Sequence, residues 1–251
     1  MKCRGSWLLT VVLLFAIAPA HVTRAETLIV REVTYQWKRG VQTDEQANDM
    51  MWLGKTRARL EQQNELFLLD LLEGTLVHLN VDQDHYDVYP SPNTLDAVVP
   101  APVVEQVKAR WAEHEPRRIE VQRTGKKERI AGYDTELVVI EAGGPGEPVT
   151  ARLELWISEE LGEKLEDTAY WDLYRDRMYT TPFTSWLVEP MRKLAGYPVR
   201  DKTVFMLADG KMRTEFTSTL VSWEESVEPP SDLYEVPEGY TPFEGPGTGQ
   251  H

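Results

Sequence analysis

Apolar and polar residues alternate with a period of two along most of the chain after residue 26. Alternation of this kind predicts strands with one buried and one solvated face. Ile29, Val33, Tyr35 and Trp37 share one face of the first predicted strand. In the next segment Trp52, Gly54, Thr56, Ala58 and Leu60 alternate with Lys55, Arg57, Arg59 and Glu61, which predicts one strand. Residues 65–72 and 75–81 read as strands paired around Glu73-Gly74, and 85–89 as another short strand. Strands resume at 117–123, 132–141 and 149–158, the last with Leu153, Leu155 and Ile157 on one face. Two long strands, 199–207 and 211–225, close the pattern around Asp209-Gly210, a hairpin signal. Connections this short make sequential strands antiparallel neighbours.

Three segments carry a helical period instead. Val103, Val104, Val107 and Trp111 follow a proline-rich break and end before Pro116, predicting an amphipathic helix. Tyr170, Trp171, Tyr174 and Met178 form a second stripe, with Thr168 as its N-cap. A third helical piece covers 185–195, with Gly196 as its stop and Pro198 just beyond. Pro190 fits that piece only within a first turn. A sheet of about ten strands curls, closes, or packs helices on one face.

The N-terminus changes the setting. Lys2 and Arg4 precede an apolar run over 7–18 and small residues around Ala20 and Ala25. Positive flank, short apolar core and small-residue cleavage site predict a secretory signal over residues 1–25. The run is shorter than the ~20 residues that span a bilayer. Cleavage fits after Ala20 or Ala25, and Ala25 is favoured because the strand pattern begins at Thr27. The sole cysteine, Cys3, lies ahead of the apolar run, so a lipid anchor is not expected and the exported chain carries no disulfide. Losing Lys2, Arg4 and Arg24 moves the formal charge from −14 to −17. Such acidity argues against nucleic acid or anionic lipid surfaces as partners. The domain is expected to span 26–243, followed by a disordered tail over 244–251.

Several motifs carry a family resemblance through their order: Ile130-Ala131-Gly132-Tyr133, Trp156-Ile157-Ser158, and residues 233–240 (LYEVPEGY). In this order the chain resembles a family of exported bacterial domains of unknown function related to the outer-membrane lipoprotein carrier (LolA-like) fold. The resemblance implies an α+β, mainly β, fold. It would be a large curved antiparallel sheet, an incomplete barrel, with a few helices covering its concave face. It further implies a periplasmic location and an apolar concavity that holds acyl chains or senses envelope proteins. The segment 161–195 is an insert relative to the plainer family pattern. Gly132 and Gly239 read as tight bends, and Trp156 and Tyr240 as core or rim.

Catalytic signatures are absent from the sequence. It contains no Gly-x-Ser-x-Gly elbow, phosphate loop or dinucleotide fingerprint, so no enzyme and no cofactor are expected. His78, Asp82, Asp84, His85 and Asp87 are the one metal-like cluster. Asp82-Gln83-Asp84 has the character of a solvated turn, and no metal is expected. His114 sits at a helix end, suited to capping the last turn.

Two groups remain as candidate binding residues. Trp171, Tyr174, Met178, Phe183, Trp186 and Met191 crowd the insert, and such side chains suit adaptable apolar binding as well as a core. Lys55, Arg57 and Arg59 form a basic stripe, either a solvated strand face or a contact for a lipid headgroup or peptide carboxylate. The expected function is non-enzymatic binding of an apolar ligand such as a lipid or acylated partner. The alternative is an envelope protein–protein interaction or sensor module without a small ligand.

Overall fold

The structure, a computed structural model, describes residues 26–94, 101–113, 115–144, 147, 149–179, 184–207 and 213–243. The predicted signal, the tail over 244–251 and the Asp209-Gly210 turn lie outside the described residues. So do His114, Phe183 and the side chain of Trp111.

The chain opens with six strands: β1 (Glu26–Lys38), β2 (Val41–Leu53), β3 (Arg57–Gln62), β4 (Glu65–Asp70), β5 (Thr75–Asn80) and β6 (His85–Pro90). Helix α1 (Ala101–Ala112) leads to β7 (Ile119–Ile130), β8 (Tyr133–Ala142) and β9 (Val149–Ser158). Then come α2 (Glu159–Leu165), α3 (Tyr170–Met178), a 3-10 turn (Ser185–Leu187) and α4 (Val188–Lys193). Strands β10 (Tyr197–Leu207), β11 (Arg213–Val227) and the short β12 (Thr241–Pro242) complete the order.

The twelve strands of the described residues form one sheet in the order β12-β6-β5-β4-β3-β2-β1-β11-β10-β9-β8-β7. Every pairing is antiparallel except β12 with β6. The sheet is curved and open, with β7 and β12 at its two ends, as expected for an incomplete barrel.

Register decides which side chains share a face. Ile29 lies across from Met51, Met51 from Leu60, Leu60 from Phe67 and Phe67 from His78. Toward the other end Asp201 lies across from Ser218 and Leu155, and Leu155 from Val138. Helices α2 to α4 cover this face. Leu161, Leu165, Ala169, Tyr170 and Leu173 pack on Ile29, Leu53, Leu60, Phe67 and Leu76. Trp186, Leu187, Met191 and Leu194 pack on Val138, Ile140, Leu153 and Leu155. The opposite face carries a smaller cluster of Leu66, Leu68 and Leu79, against which Val236 and Tyr240 lie. Residues 228–243 thus form a strap across the back of β3–β5.

Several expectations are corrected by the tertiary structure. The segment 52–61 is not one strand. It breaks after Leu53, where Gly54 N donates to Arg57 O, and continues as β3. Strand β2 is too polar to announce itself and is held by its ladder to β1. The turn between them uses left-handed Arg39 (φ 50) and Gly40 (φ 86). Trp37 leaves the face of Tyr35, because a register shift places it opposite Glu215 while Tyr35 faces Phe216. Helix α1 forms where predicted but is mostly exposed. The cap of α3 is Ala169 rather than Thr168, whose hydroxyl accepts from Tyr170 N at 3.3 Å. Pro190 is the third residue of α4, within the first turn, where its missing N–H costs nothing.

Gly196 does more than stop a helix. A Cβ on Gly162 of α2 would come within 2.5 Å of Gly196 Cα. The two glycines let α2 lie directly on the entry to β10.

Candidate functional site

Helix α3 brings the aromatic stripe over the middle of the sheet. Tyr170 is buried against Tyr197 (ring centroids 5.7 Å) and Trp171 (5.0 Å). Trp171 and Tyr174 are half-buried, 5.9 Å apart edge to face, and both touch the cluster beneath α4, as does Phe205. Trp186 and Met191 are buried within that cluster and act as its core. Met178, also half-buried, ends the helix.

The floor beneath α3 is polar. Arg31 replaces an apolar residue in the inward phase of β1, between Ile29 and Val33. Its Nε donates to Ser218 Oγ at 2.6 Å, one terminal nitrogen to Asp201 Oδ1 at 2.7 Å, and the other to Pro198 O. The guanidinium also lies 5.4 Å from the Tyr197 ring. Burial opposes the Arg31 charge, yet Tyr197 and Asp201 together hold its pKa above the ordinary value. Burial pushes the Asp201 carboxyl up, against the pull of Arg31. Asp49, across from Arg31 on β2, accepts from Gln62 Nε2 at 2.7 Å. Burial raises its pKa too, with Gln62 and Arg177 opposing. Burial, aided by Asp49, pushes the Tyr35 hydroxyl up to about 12.

Two contacts tie the far end of α3 to the sheet. Arg177 lies over the Phe67 ring at 5.7 Å, and the same ring stacks on His78 at 4.4 Å and 3°. Burial lowers the His78 pKa, and among the described residues its Nε2 has no partner. Asp176, fully buried, accepts from Ser91 Oγ (2.5 Å), Asn93 N (3.0 Å) and Arg175 Nε (2.6 Å). This carboxylate clamps α3 to the turn that follows β6. Arg31, Asp201 and Asp176 were not candidates from sequence. For Arg31 and Asp201 the available signal was a charge in the inward phase of an otherwise apolar alternation.

The basic stripe goes elsewhere. Lys55 is exposed in the β2–β3 turn. Arg57 and Arg59 project from the back face, away from the aromatic set. Arg57 pairs with Asp70 at 2.7 Å and lies 6.0 Å from the Tyr234 ring. Arg59 pairs with Glu61 at 2.7 Å and donates to Leu233 O at 2.6 Å. Both cations anchor the strap. Beside it is a depression of ≈ 340 Å³ lined by Met50, Leu66, Pro237 and Tyr240 among others. Trp156 is buried, with Lys126 and Arg200 each 5.0 Å from its ring, and Tyr240, part of the strap, packs on the cluster of Leu66, Leu68 and Leu79. His78 and Asp87 are cross-strand neighbours. Among the described residues no group of three or more His, Cys, Asp or Glu is placed to hold a metal.

A family profile described as "Domain of unknown function (DUF4412)" matches residues 99–240. The chain belongs to this family. The DUF4412 match covers α1, β7–β11, all the helices over the sheet and most of the strap, while β1–β6 lie outside it. No curated protein matches the sequence. Among solved structures, PNGF-II is similar at 12% identity over 87% of this chain and 31% of that chain, with a TM-score of 0.38. MucB is similar at 11% identity over 86% of this chain and 59% of that chain, TM-score 0.32. A DUF1329 family protein from Desulfovibrio piger ATCC 29098 matches at 8% identity over 85% and 91%, TM-score 0.21. This chain therefore spans under a third of PNGF-II and under two thirds of MucB. Among the described residues of the DUF4412 protein no helix is long and apolar enough to cross a membrane.

Proposed function

We propose that this DUF4412 protein is a non-enzymatic periplasmic binding protein. It holds an apolar ligand, a lipid or the acyl chain of an acylated partner, between its helix layer and its open sheet. The reading takes its setting from the signal-like N-terminus and the half-barrel resemblance. One observation carries it: Trp171, Tyr174 and Phe205 each pack against the cluster between helices and sheet and remain half-buried rather than sealed.

In the present arrangement the protein's own side chains fill this face. A ligand enters by exchanging places with Trp171 and Tyr174, gaining ~25 cal/mol for each Å² of apolar surface removed from water. The polar floor of Arg31, Asp201 and Asp49 lowers the cost of that exchange. A helix resting partly on polar groups loses less apolar contact when it moves than one resting on an all-apolar floor. Arg57 and Arg59, bound to the strap, take no part.

Native mass spectrometry of protein purified from periplasm without detergent, followed by lipid extraction, tests the proposal. A bound lipid mass lost on denaturation is the expected result, and a clean apo mass with no extractable lipid overturns it. Trp171→Ala should lower lipid retention severalfold while the sheet stays folded. Equal retention by the folded variant removes the aromatic set from the mechanism. Trp186→Ala is a stability change first, costing about 3–5 kcal/mol as a buried aromatic truncation. The protein–protein alternative has its own supporting observation, the open edge at β7.

A further inference from the structure

The two ends of the sheet are finished differently. At the β6 end the strap closes part of the edge. Thr241 N donates to Asp84 O at 3.0 Å and Phe243 N to Tyr86 O at 2.8 Å. At the other end β7 pairs, among the described residues, with β8 alone, and eleven of its twelve residues are exposed. An uncovered edge strand presents unpaired backbone donors and acceptors to any strand of matching register.

The phase of that edge is readable. Gly143 N donates to Arg118 O at 2.8 Å, so residues 118, 120 and 122 turn their backbone groups toward β8. Ile119, Val121 and Arg123 therefore turn theirs outward. A register shift between Arg123 and Lys127, with Gly125 at φ 73, bends the strand beyond this stretch. The pairing-competent edge is thus 119–123.

Its side chains and charge define what fits. Ile119 and Val121, 38% and 46% exposed, continue the apolar row of Ala142 and Ile140 out to the rim. Between 117 and 129 the chain carries Arg117, Arg118, Arg123, Lys126, Lys127 and Arg129 against only Glu120 and Glu128, within a chain of net charge −14. Pairing β7 with β7 of a second copy would set these cations against one another, which is unfavourable. An acidic strand meets the opposite situation. Arg118 with Glu120, and Arg123 with Glu136 and Glu159, are surface pairs worth only ~0.2–1 kcal/mol each, so an incoming carboxylate can replace them.

We infer that residues 119–123 of β7 accept an added antiparallel or parallel strand from an acidic, extended segment of a partner protein. That segment sets apolar residues beside Ile119 and Val121 and carboxylates within reach of Arg123, on the same face, and of Arg118 on the other. This is backbone recognition at a sheet edge, with charge choosing the partner. It stands apart from the ligand proposal, which concerns the helix-covered face.

The test uses isotopically labelled protein and a synthetic probe, Ac-Thr-Glu-Val-Glu-Val-Glu-Thr-amide, read by amide hydrogen exchange. The expected result is at least tenfold slower exchange at Ile119, Val121 and Arg123, weakening as salt is raised. A control peptide with Lys for each Glu should produce no slowing. Val121→Pro should abolish the effect without shifting the unfolding midpoint, because the Val121 N–H bonds nothing within the sheet. Arg118→Glu combined with Lys127→Glu, which leaves the backbone intact, should weaken the acidic probe at least fivefold. No slowing with the acidic peptide, or equal slowing with both peptides, overturns the inference. Slowing without peptide that grows with protein concentration also overturns it, since a second copy would then be the occupant.

Discussion

Arg31 and Asp201 occupy inward positions on strands that otherwise bury apolar side chains, and each supplies the other's opposite charge. Removing one partner of such a pair leaves a buried charge unpaired, at a typical cost of about 3–5 kcal/mol. Arg31→Met should therefore lower the urea midpoint sharply, while adding Asp201→Leu should recover most of the loss. If the double variant is no more stable than the single one, the pair is not the source of the cost. His78 offers a second check at this scale. Its folded pKa lies below the ordinary 6.5, so the unfolded chain binds its proton more readily. The stability this contributes is present above about pH 6.5 and falls as pH drops through the depressed folded value. Denaturation at a series of pH values should show this slope, and His78→Gln should flatten it.

At the scale of elements, the contact between α2 and the start of β10 depends on missing side chains. In an exposed helix, glycine to alanine stabilises by up to ~1 kcal/mol. In Gly162→Ala the new methyl would meet Gly196 Cα at 2.5 Å and Ala195 O at 3.0 Å. The sign should reverse, with a loss of about 1–3 kcal/mol from overpacking, measurable by urea unfolding. The elements themselves were unevenly legible. Strands β4, β5, β8 and β9 have enough apolar residues in strict alternation to be read from sequence. Strand β2 was not, because its residues are stabilised by the β1 ladder rather than by burial. The break at Gly54 was hidden because alternation runs straight through a turn of that length.

For the whole molecule, the strap makes the back face tolerable to water. Leu66, Leu68 and Leu79 are buried although no helix among the described residues lies over them, and Leu233, Val236 and Tyr240 belong to the covering segment. Truncation after Val227 should cost several kcal/mol, at roughly 1.5–3 kcal/mol for each large side chain re-exposed. Binding of an apolar dye should rise on the truncated protein, and an unchanged melting temperature would show that the strap is not needed for stability. Arg57 and Arg59 hold this strap, so Arg59→Ala should reproduce part of the truncation effect.

What the sequence determined by itself was local and periodic. Alternation of period two specified most strands, helical spacing specified α1, α3 and α4, and Gly132 and Gly239 marked turns at φ 89 and φ 96. The same pattern, with its resemblance, specified an open, curved, mainly antiparallel sheet. The tertiary structure alone decided which residues meet. Periodicity assigns a residue to one of two faces but does not say which face is covered, or by what. It therefore placed Arg57 and Arg59 on a common face without revealing that the strap, not the helices, lies there. A single register shift moved Trp37 off the face of Tyr35, and pairing across 170 residues joined Arg31 to Asp201. Such contacts depend on strand order and register, which are properties of the assembled sheet rather than of any segment within it.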